Sequence, residues 1–244
     1  VHEWYMEQYG AAWLAKFPYF PLVLAMVDAA DNLSIQVHPT DEAAQELEGE
    51  PFGKNESWYF LCPPESGYIY HGSLVDSAEE VKRLLAVRDV DSAVRHLPVK
   101  KGDYVFVPSG TLHAMTAGSM VYEIEENAEY TYRLYDFDRV DADGNKRPLH
   151  TREALRSLQF NTNEKPKHYE GGVIRERLYE TELIPSLNDH ENTADTWECI
   201  TILDEDANVS LEGNNLRFGM TLLLAPQERI SLNIGLSMSA RVIL

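Results

Sequence analysis

The 244 residues carry a formal charge of −19 and are 44% apolar, enough to bury one sizeable core or two joined ones and too much for a disordered chain. So acidic a chain is a poor match for nucleic acid or an anionic membrane surface, which reward clustered Lys and Arg, although a metal or a few fixed cations in a pocket would still admit an anionic small molecule. Only two cysteines occur, Cys62 and Cys199; without a Cys-x-x-Cys pattern or a run of ~18 apolar residues, they argue against a disulfide framework or membrane span and for a cytoplasmic setting.

In chain order, Trp4, Tyr5, Tyr9, Trp13 and Leu14 recur at helical intervals before Pro18, so residues 3–16 are expected to form one amphipathic helix. The chain opens on Val1 rather than Met, and an N-terminal part is expected to be missing. Phe20 to Met26 and Leu33 to Val37 read as strands. Thr40 followed by Asp41 and Glu42 starts a short helix reaching about Leu47, with acidic side chains in its first turn. Ser57 to Cys62 and Tyr68 to Tyr70 are strand signals, and Ser77 to Val87 is a helix with Val81, Leu84 and Leu85 on one face.

From Gly102 the chain turns β-rich, with strands expected at Tyr104 to Val107, His113 to Met115, Ser119 to Glu125 and Thr131 to Tyr135. A polar turn at Asp141 to Asn145 precedes a helix from His150 to Leu158, capped by Thr151. The polar stretch from Asn161 to Lys167, with Pro166 inside it, is the best linker candidate. Beyond it, Thr196 to Leu203, Val209 to Leu211, Met220 to Ala225 and Arg229 to Ile234 are evenly spaced short strands. The expectation is a mainly β protein with a few short helices, built as two β-sandwich or barrel halves over 1–160 and 161–244.

Chemistry concentrates in two runs. Ser34-Ile35-Gln36-Val37-His38 puts three polar side chains on one strand face, because residues two apart share a face. Gly102 to His113 describes a strand, a turn fixed by Pro108 and Gly110, and a return strand presenting an imidazole. If the strands are neighbours, His113 meets Gln36 and His38, and Glu56, at the entry to the next strand, supplies a carboxylate. An amide, a carboxylate and two imidazoles suit Zn, Fe or Mn. A hydrogen-bonded edge strand and an ordinary turn are the structural reading of the same runs. His71, His96, His150, His168 and His190 sit beside turns or polar stretches and read as solvated or capping residues.

The run from Gly102 to His113 resembles the second cupin motif, with Ala117 where that motif often has Asn. More specifically, Leu33 to Pro39, Gly53-Lys54-Asn55-Glu56-Ser57-Trp58-Tyr59, Pro108 to Ala114 and Thr131 to Asp136 resemble, in order, the motifs of type I mannose-6-phosphate isomerases in their short bacterial form. The resemblance implies cupin-type jelly-roll barrels and one zinc ion on Gln36, His38, Glu56 and His113. It also implies a catalytic Arg133 and interconversion of mannose 6-phosphate and fructose 6-phosphate. Ser57 stands where relatives often have Cys, and Glu125, Ala128 and Glu129 stand where Gln, Ser and Asp are usual.

An aldose–ketose conversion passes a proton between adjacent carbons through an enediolate, so it needs an acid–base group and cationic support for the oxyanion. Glu123 is the candidate catalytic carboxylate, with Glu125 on the same strand face and a metal-bound water as alternatives. Lys54 and Ser34 are candidate substrate contacts for the phosphate, for which Arg133 competes. A metal-binding cupin that senses a sugar phosphate without converting it is a second reading, and an iron oxygenase using two His and a carboxylate a third; the extra Gln36 speaks against the latter.

Overall fold

A computed structural model describes residues 2–162 and 164–243; Val1, Asn163, within the polar stretch read as a linker, and Leu244 lie outside the described residues. The chain divides into two compact units, Val1–Tyr169 and Glu170–Leu244. Both are mainly β, in antiparallel sheets, and the few short helices lie in the first. No helix among the described residues is long and apolar enough to cross a membrane.

The first unit begins with two helices where one was expected, α1 (His2–Gln8) and α2 (Ala11–Lys16). Gly10 between them has ψ 162°, an extended conformation that ends the first helix and caps the second. An aromatic cluster folds the pair together: Trp13 Nε1 donates to Tyr5 Oη at 2.7 Å, which donates to the Phe17 carbonyl at 2.7 Å. Then come β1 (Leu22–Asp28), β2 (Ile35–Val37), α3 (Asp41–Leu47), β3 (Glu56–Cys62) and β4 (Tyr68–Ser73). Next are α4 (Ala78–Ala86), α5 (Val90–Ala93), β5 (Val94–Pro98), β6 (Asp103–Val107), β7 (His113–Ala114), β8 (Met120–Glu126), β9 (Tyr132–Tyr135), α6 (Thr151–Ser157) and β10 (Lys167–His168). Thr40 caps α3 by accepting from Ala43 N, and Ser77 caps α4 from Glu80 N. At α6 the cap position belongs to His150 rather than Thr151, with no side-chain bond.

These strands form two five-stranded sheets, ordered β1-β8-β3-β6-β10 and β5-β4-β7-β2-β9. Their facing sides share one core: Trp58, Phe60, Val105, Val107 and Val121 from the first, Ile69 and Leu97 from the second. The second sheet is also buried on its other side. Ile35, Val37, Leu112, Ala114 and Leu134 pack there against Val81, Leu84 and Leu85 of α4 and Ala154 of α6. Burial on both faces is why strands such as Asp103–Val107 lack a clean period of two. Lys167–His168, in and beside the expected linker, pairs with β6.

The second unit adds β11 (Val173–Arg175), β12 (Tyr179–Ile184), β13 (His190–Glu191), β14 (Glu198–Ile202), β15 (Val209–Leu211), β16 (Asn214–Leu216), β17 (Thr221–Leu224), β18 (Arg229–Ile230) and β19 (Ser237–Val242). Its main sheet runs β11-β12-β19-β14-β17 over a core of Ile184, Leu187, Ile200, Ile202, Leu224 and Ile234.

Candidate metal centre

The alternation that buries Trp58 and Phe60 between the two sheets of the first unit also turns Glu56 inward. Across the ladder, Trp58 pairs with Glu123 and Glu56 with Glu125, so the inner face of the first sheet changes from apolar to carboxylate at one end. On the second sheet Gln36 pairs directly with His113 on one side and Arg133 on the other, with a β-bulge between Ile35 and Gln36. Turning Ile35 and Val37 toward the helices therefore turns Gln36 and His38 toward the first sheet.

His38, Glu56 and His113 bring one ligand atom each to within 4.8 Å of one another, and all three are buried. Both imidazoles are oriented from behind. His38 Nδ1 lies 2.8 Å from the Tyr130 carbonyl and His113 Nδ1 2.8 Å from the Thr111 carbonyl. Carbonyls only accept, so each Nδ1 carries the hydrogen and each Nε2 turns a lone pair to the cluster. His38 Nε2 stands 2.8 Å from Glu56 Oε1 and His113 Nε2 3.6 Å from Glu56 Oε2. Neither His38 Nε2 nor Glu56 Oε2 has an aligned hydrogen-bond partner. Buried lone pairs aimed at a carboxylate repel unless a cation lies among them, so this donor set fits a divalent metal. The side-chain amide of Gln36 lies beside the set, with its Nε2 3.5 Å from His113 Nε2; turned over, it would offer its oxygen instead.

Charge is balanced around Glu56. Lys54 Nζ is 3.1 Å from Glu56 Oε1 and 2.5 Å from Glu125 Oε2. Burial works to raise the Glu56 carboxyl, but His38 and the Lys54 ammonium outweigh it and hold it below the carboxylate range. Glu123 is the opposite case. Burial first, then the Glu56 and Glu125 charges, push it well above the ordinary range, so it keeps its proton beside Glu125. Trp58 Nε1 donates to its Oε1 at 2.6 Å. Burial lowers His113 to about 3.

Arg133 joins through a relay: its Nε donates to Ser34 Oγ at 3.3 Å, and Ser34 Oγ donates to Gln36 Oε1 at 3.1 Å. The structure therefore brings Gln36, His38, Glu56, His113, Lys54, Glu123, Ser34 and Arg133 to one region of the first unit. One expectation is corrected. His71 is neither solvated nor capping but fully buried, paired across the ladder with His113. Its Nε2 donates to the Phe106 carbonyl at 3.1 Å, its Nδ1 accepts from Arg95 Nη2 at 3.2 Å, and burial lowers it to about 4. His190 is half-buried, with Nε2 2.8 Å from Glu198 Oε2 in the second unit.

Asn55 was missed altogether. Its Nδ2 donates to Glu126 Oε2 at 2.9 Å and its Oδ1 accepts from Ser109 N at 2.8 Å. It thereby ties the segment before Glu56 to the turn before His113. Gly110 N donates to the His38 carbonyl at 2.7 Å, linking that turn to the third member of the cluster. Its place in the Gly53 to Tyr59 motif, beside Glu56, was the signal for Asn55 in the sequence; its partners lie more than 50 residues away.

No family model matches the chain. It is 42% identical over 155 residues to a mannose-6-phosphate isomerase of Streptococcus mutans, covering 64% of this chain and 49% of that one. To the mannose-6-phosphate isomerase ManA of Bacillus subtilis it is 39% identical over 140 residues, covering 57% and 44%. The chain thus spans about half the length of the curated relatives it matches. Among solved structures, a Bacillus subtilis mannose 6-phosphate isomerase superposes with TM-score 0.79 at 25% identity, over 98% of this chain and 80% of that one. The likeness carried by the four sequence motifs is therefore found again in aligned sequence and in fold.

Proposed function

We propose that this chain interconverts mannose 6-phosphate and fructose 6-phosphate through an enediolate, with one zinc ion held by Gln36, His38, Glu56 and His113. The observation that carries the reading is the convergence of two lone-pair imidazoles and an ionised, buried carboxylate at one point, with Arg133 joined to it through Ser34. When bound, a divalent ion supplies Lewis acidity toward sugar oxygens.

The chain's own groups divide the remaining work. Arg133 contributes a permanent cation on a strand, suited to the oxyanion that develops as the carbonyl moves. Glu123, holding a proton beside Glu125, is the group able to give and retake a proton; its isolation from water keeps that proton from exchanging freely. Lys54 keeps Glu56 ionised and compensates Glu125. Ser34, the second of the proposed substrate contacts beside Lys54, orients both Gln36 and Arg133.

A coupled assay of mannose 6-phosphate conversion, run after chelation and after zinc is added back, tests the proposal. Activity that disappears with the chelator, returns with zinc and falls in Arg133→Ala supports it. A folded, zinc-loaded protein that binds fructose 6-phosphate without converting it would sink it in favour of a sensing module.

A further inference from the structure

Among the described residues, each five-stranded sheet ends on two outermost strands, and all of these but one carry a charged side chain: β1 at Asp28, β5 at Arg95, β9 at Arg133, β10 at Lys167 and β11 at Arg175. Charge on an outermost strand keeps other chains from pairing with its free backbone groups. The exception is β17, Thr221–Leu224. In a chain of net charge −19, no residue from Phe218 to Gln227 is charged. Met220 and Leu223 are each 41% exposed, and Thr221 is exposed as well. The strand also lacks the irregularities that blunt an edge. Thr221 to Leu224 pair with Thr201 to Glu198 without a register shift, and neither Pro nor Gly interrupts them.

The outer side of β17 is a row of backbone donors and acceptors. Ile202 N donates to the Met220 carbonyl at 2.9 Å, and bonded and non-bonded pairs alternate along an antiparallel ladder. Leu222 and Leu224 therefore direct their amides and carbonyls at β14, and Thr221 and Leu223 direct theirs away from the sheet. The Thr221 and Thr201 hydroxyls, 2.8 Å apart, fix the strand to its neighbour. We infer that β17 is the surface through which two copies of this chain associate, pairing edge to edge and antiparallel about a two-fold axis.

Charge selects the second copy and its direction. So acidic a chain approaches another copy against mutual repulsion, and the contact of least Coulomb cost is the uncharged one. The uncharged run is bounded by Arg217 at one end and Glu228 at the other. Opposed strands bring the Arg217 end of each copy to the Glu228 end of its partner, whereas parallel strands would set like charges together. With Leu222 at the axis, Thr221 lies opposite Leu223 of the partner subunit, so every outward amide and carbonyl of both strands finds a mate. The axis closes the pair, because each copy uses its one uncharged edge and none is left for a third. A contact built on a four-residue strand is short, which places it among weak, reversible dimers rather than obligate ones. The inference does not depend on the isomerase reading.

Sedimentation velocity of the whole chain at about 1 to about 100 µM, for wild type and Leu223→Lys, tests the inference. The expected result is a wild-type mass that climbs with concentration from that of one chain toward that of two and stops there. Leu223→Lys, which places a charge on the exposed edge, should weaken the association roughly ten-fold or more. A wild type that stays monomeric at the highest concentration overturns the inference, and so does a mass that passes two chains. Association of Leu223→Lys equal to that of wild type also overturns it, since the contact would then lie on another surface. If Leu223→Lys does not fold, the exposed Arg217→Glu sets carboxylates against Glu228 of the partner subunit. Weaker association at low salt that recovers as salt is added supports the antiparallel pairing, and association unchanged at low salt overturns it.

Discussion

Lys54 and Glu56 are two residues apart, and the extended chain between them sets Nζ of the first 3.1 Å from Oε1 of the second. The same ammonium reaches Glu125 Oε2 at 2.5 Å across the β3–β8 ladder. One buried cation therefore compensates a candidate metal ligand and its cross-strand neighbour.

Lys54→Met should cost about 3–5 kcal/mol in the metal-free protein, because it strands buried carboxylates without their counter-charge. Zinc would restore part of that charge. Urea unfolding with and without zinc should show the gap between variant and wild type shrinking when the ion is present; an equal gap in both conditions would contradict this account of Lys54.

Glu123→Gln separates a proton-transfer role from a structural one. Burial pushes the Glu123 carboxyl up, and a Gln oxygen still accepts from Trp58 Nε1, so the melting temperature should match wild type near pH 4.5 and rise above it toward neutral pH, where only the carboxyl loses stability. If Glu123 moves a proton in turnover, kcat should drop roughly 10²- to 10⁴-fold. Wild-type kcat would assign the acid–base step elsewhere.

Gly53→Ala should disturb the site without touching a ligand. A Cβ there would collide with the Pro39 carbonyl oxygen and meet Asp41 N at 2.9 Å. Lys54 N donates to that same carbonyl at 3.1 Å, and Gly53 N donates to Asp41 Oδ1 at 2.7 Å. Relief requires pushing apart the segments that carry His38 and Glu56. We expect a loss of about 1–3 kcal/mol in stability together with weaker zinc affinity, measured by competition with a chelating dye.

In the metal-free protein, stability should pass through a maximum near pH 6.5. His113 and His71 titrate at about 3 and about 4 when folded, against an unfolded value near 6.5. Below pH 6.5 the unfolded chain therefore binds two protons that the native state refuses, and stability falls on acidification. Glu123 acts with the opposite sign: folded, it stays protonated above its unfolded value of 4.5, so its contribution is lost as pH rises. Between about 4.5 and 6.5 the net slope is one proton, about 1.4 kcal/mol per pH unit; above 6.5 only the Glu123 decline remains. Below 4.5 the lowered Glu56 adds to the acid loss. Glu123→Gln should remove the alkaline decline and double the slope on the acid side. Denaturant midpoints across pH 4.5–8 that peak elsewhere, or do not respond to that substitution, would refute the assignment.

Local chemistry made much of the first unit legible. The cap at Thr40, the helical face of Val81, Leu84 and Leu85, and the turn at Pro108 and Gly110 are dictated by neighbours in sequence, and each stands in the structure. The Gln36–His38 spacing likewise determined a shared strand face. What escaped the sequence depends on a second strand: β12 and β19 were overlooked because each lies between partners on both sides, and β5, at a sheet edge, because its register is set by β4.

By itself, then, the sequence determined the mainly β character, the ligand types and the order of the motifs, because those follow from backbone preference, period and donor chemistry over a few residues. Tertiary structure alone decided which donors share a point and which charges compensate one another. His71 is buried, Lys54 faces two carboxylates and Glu123 is protonated only because strands far apart in sequence are in register and exclude water between them. Electrostatic character depends on distance and burial, and neither is a local property of the chain.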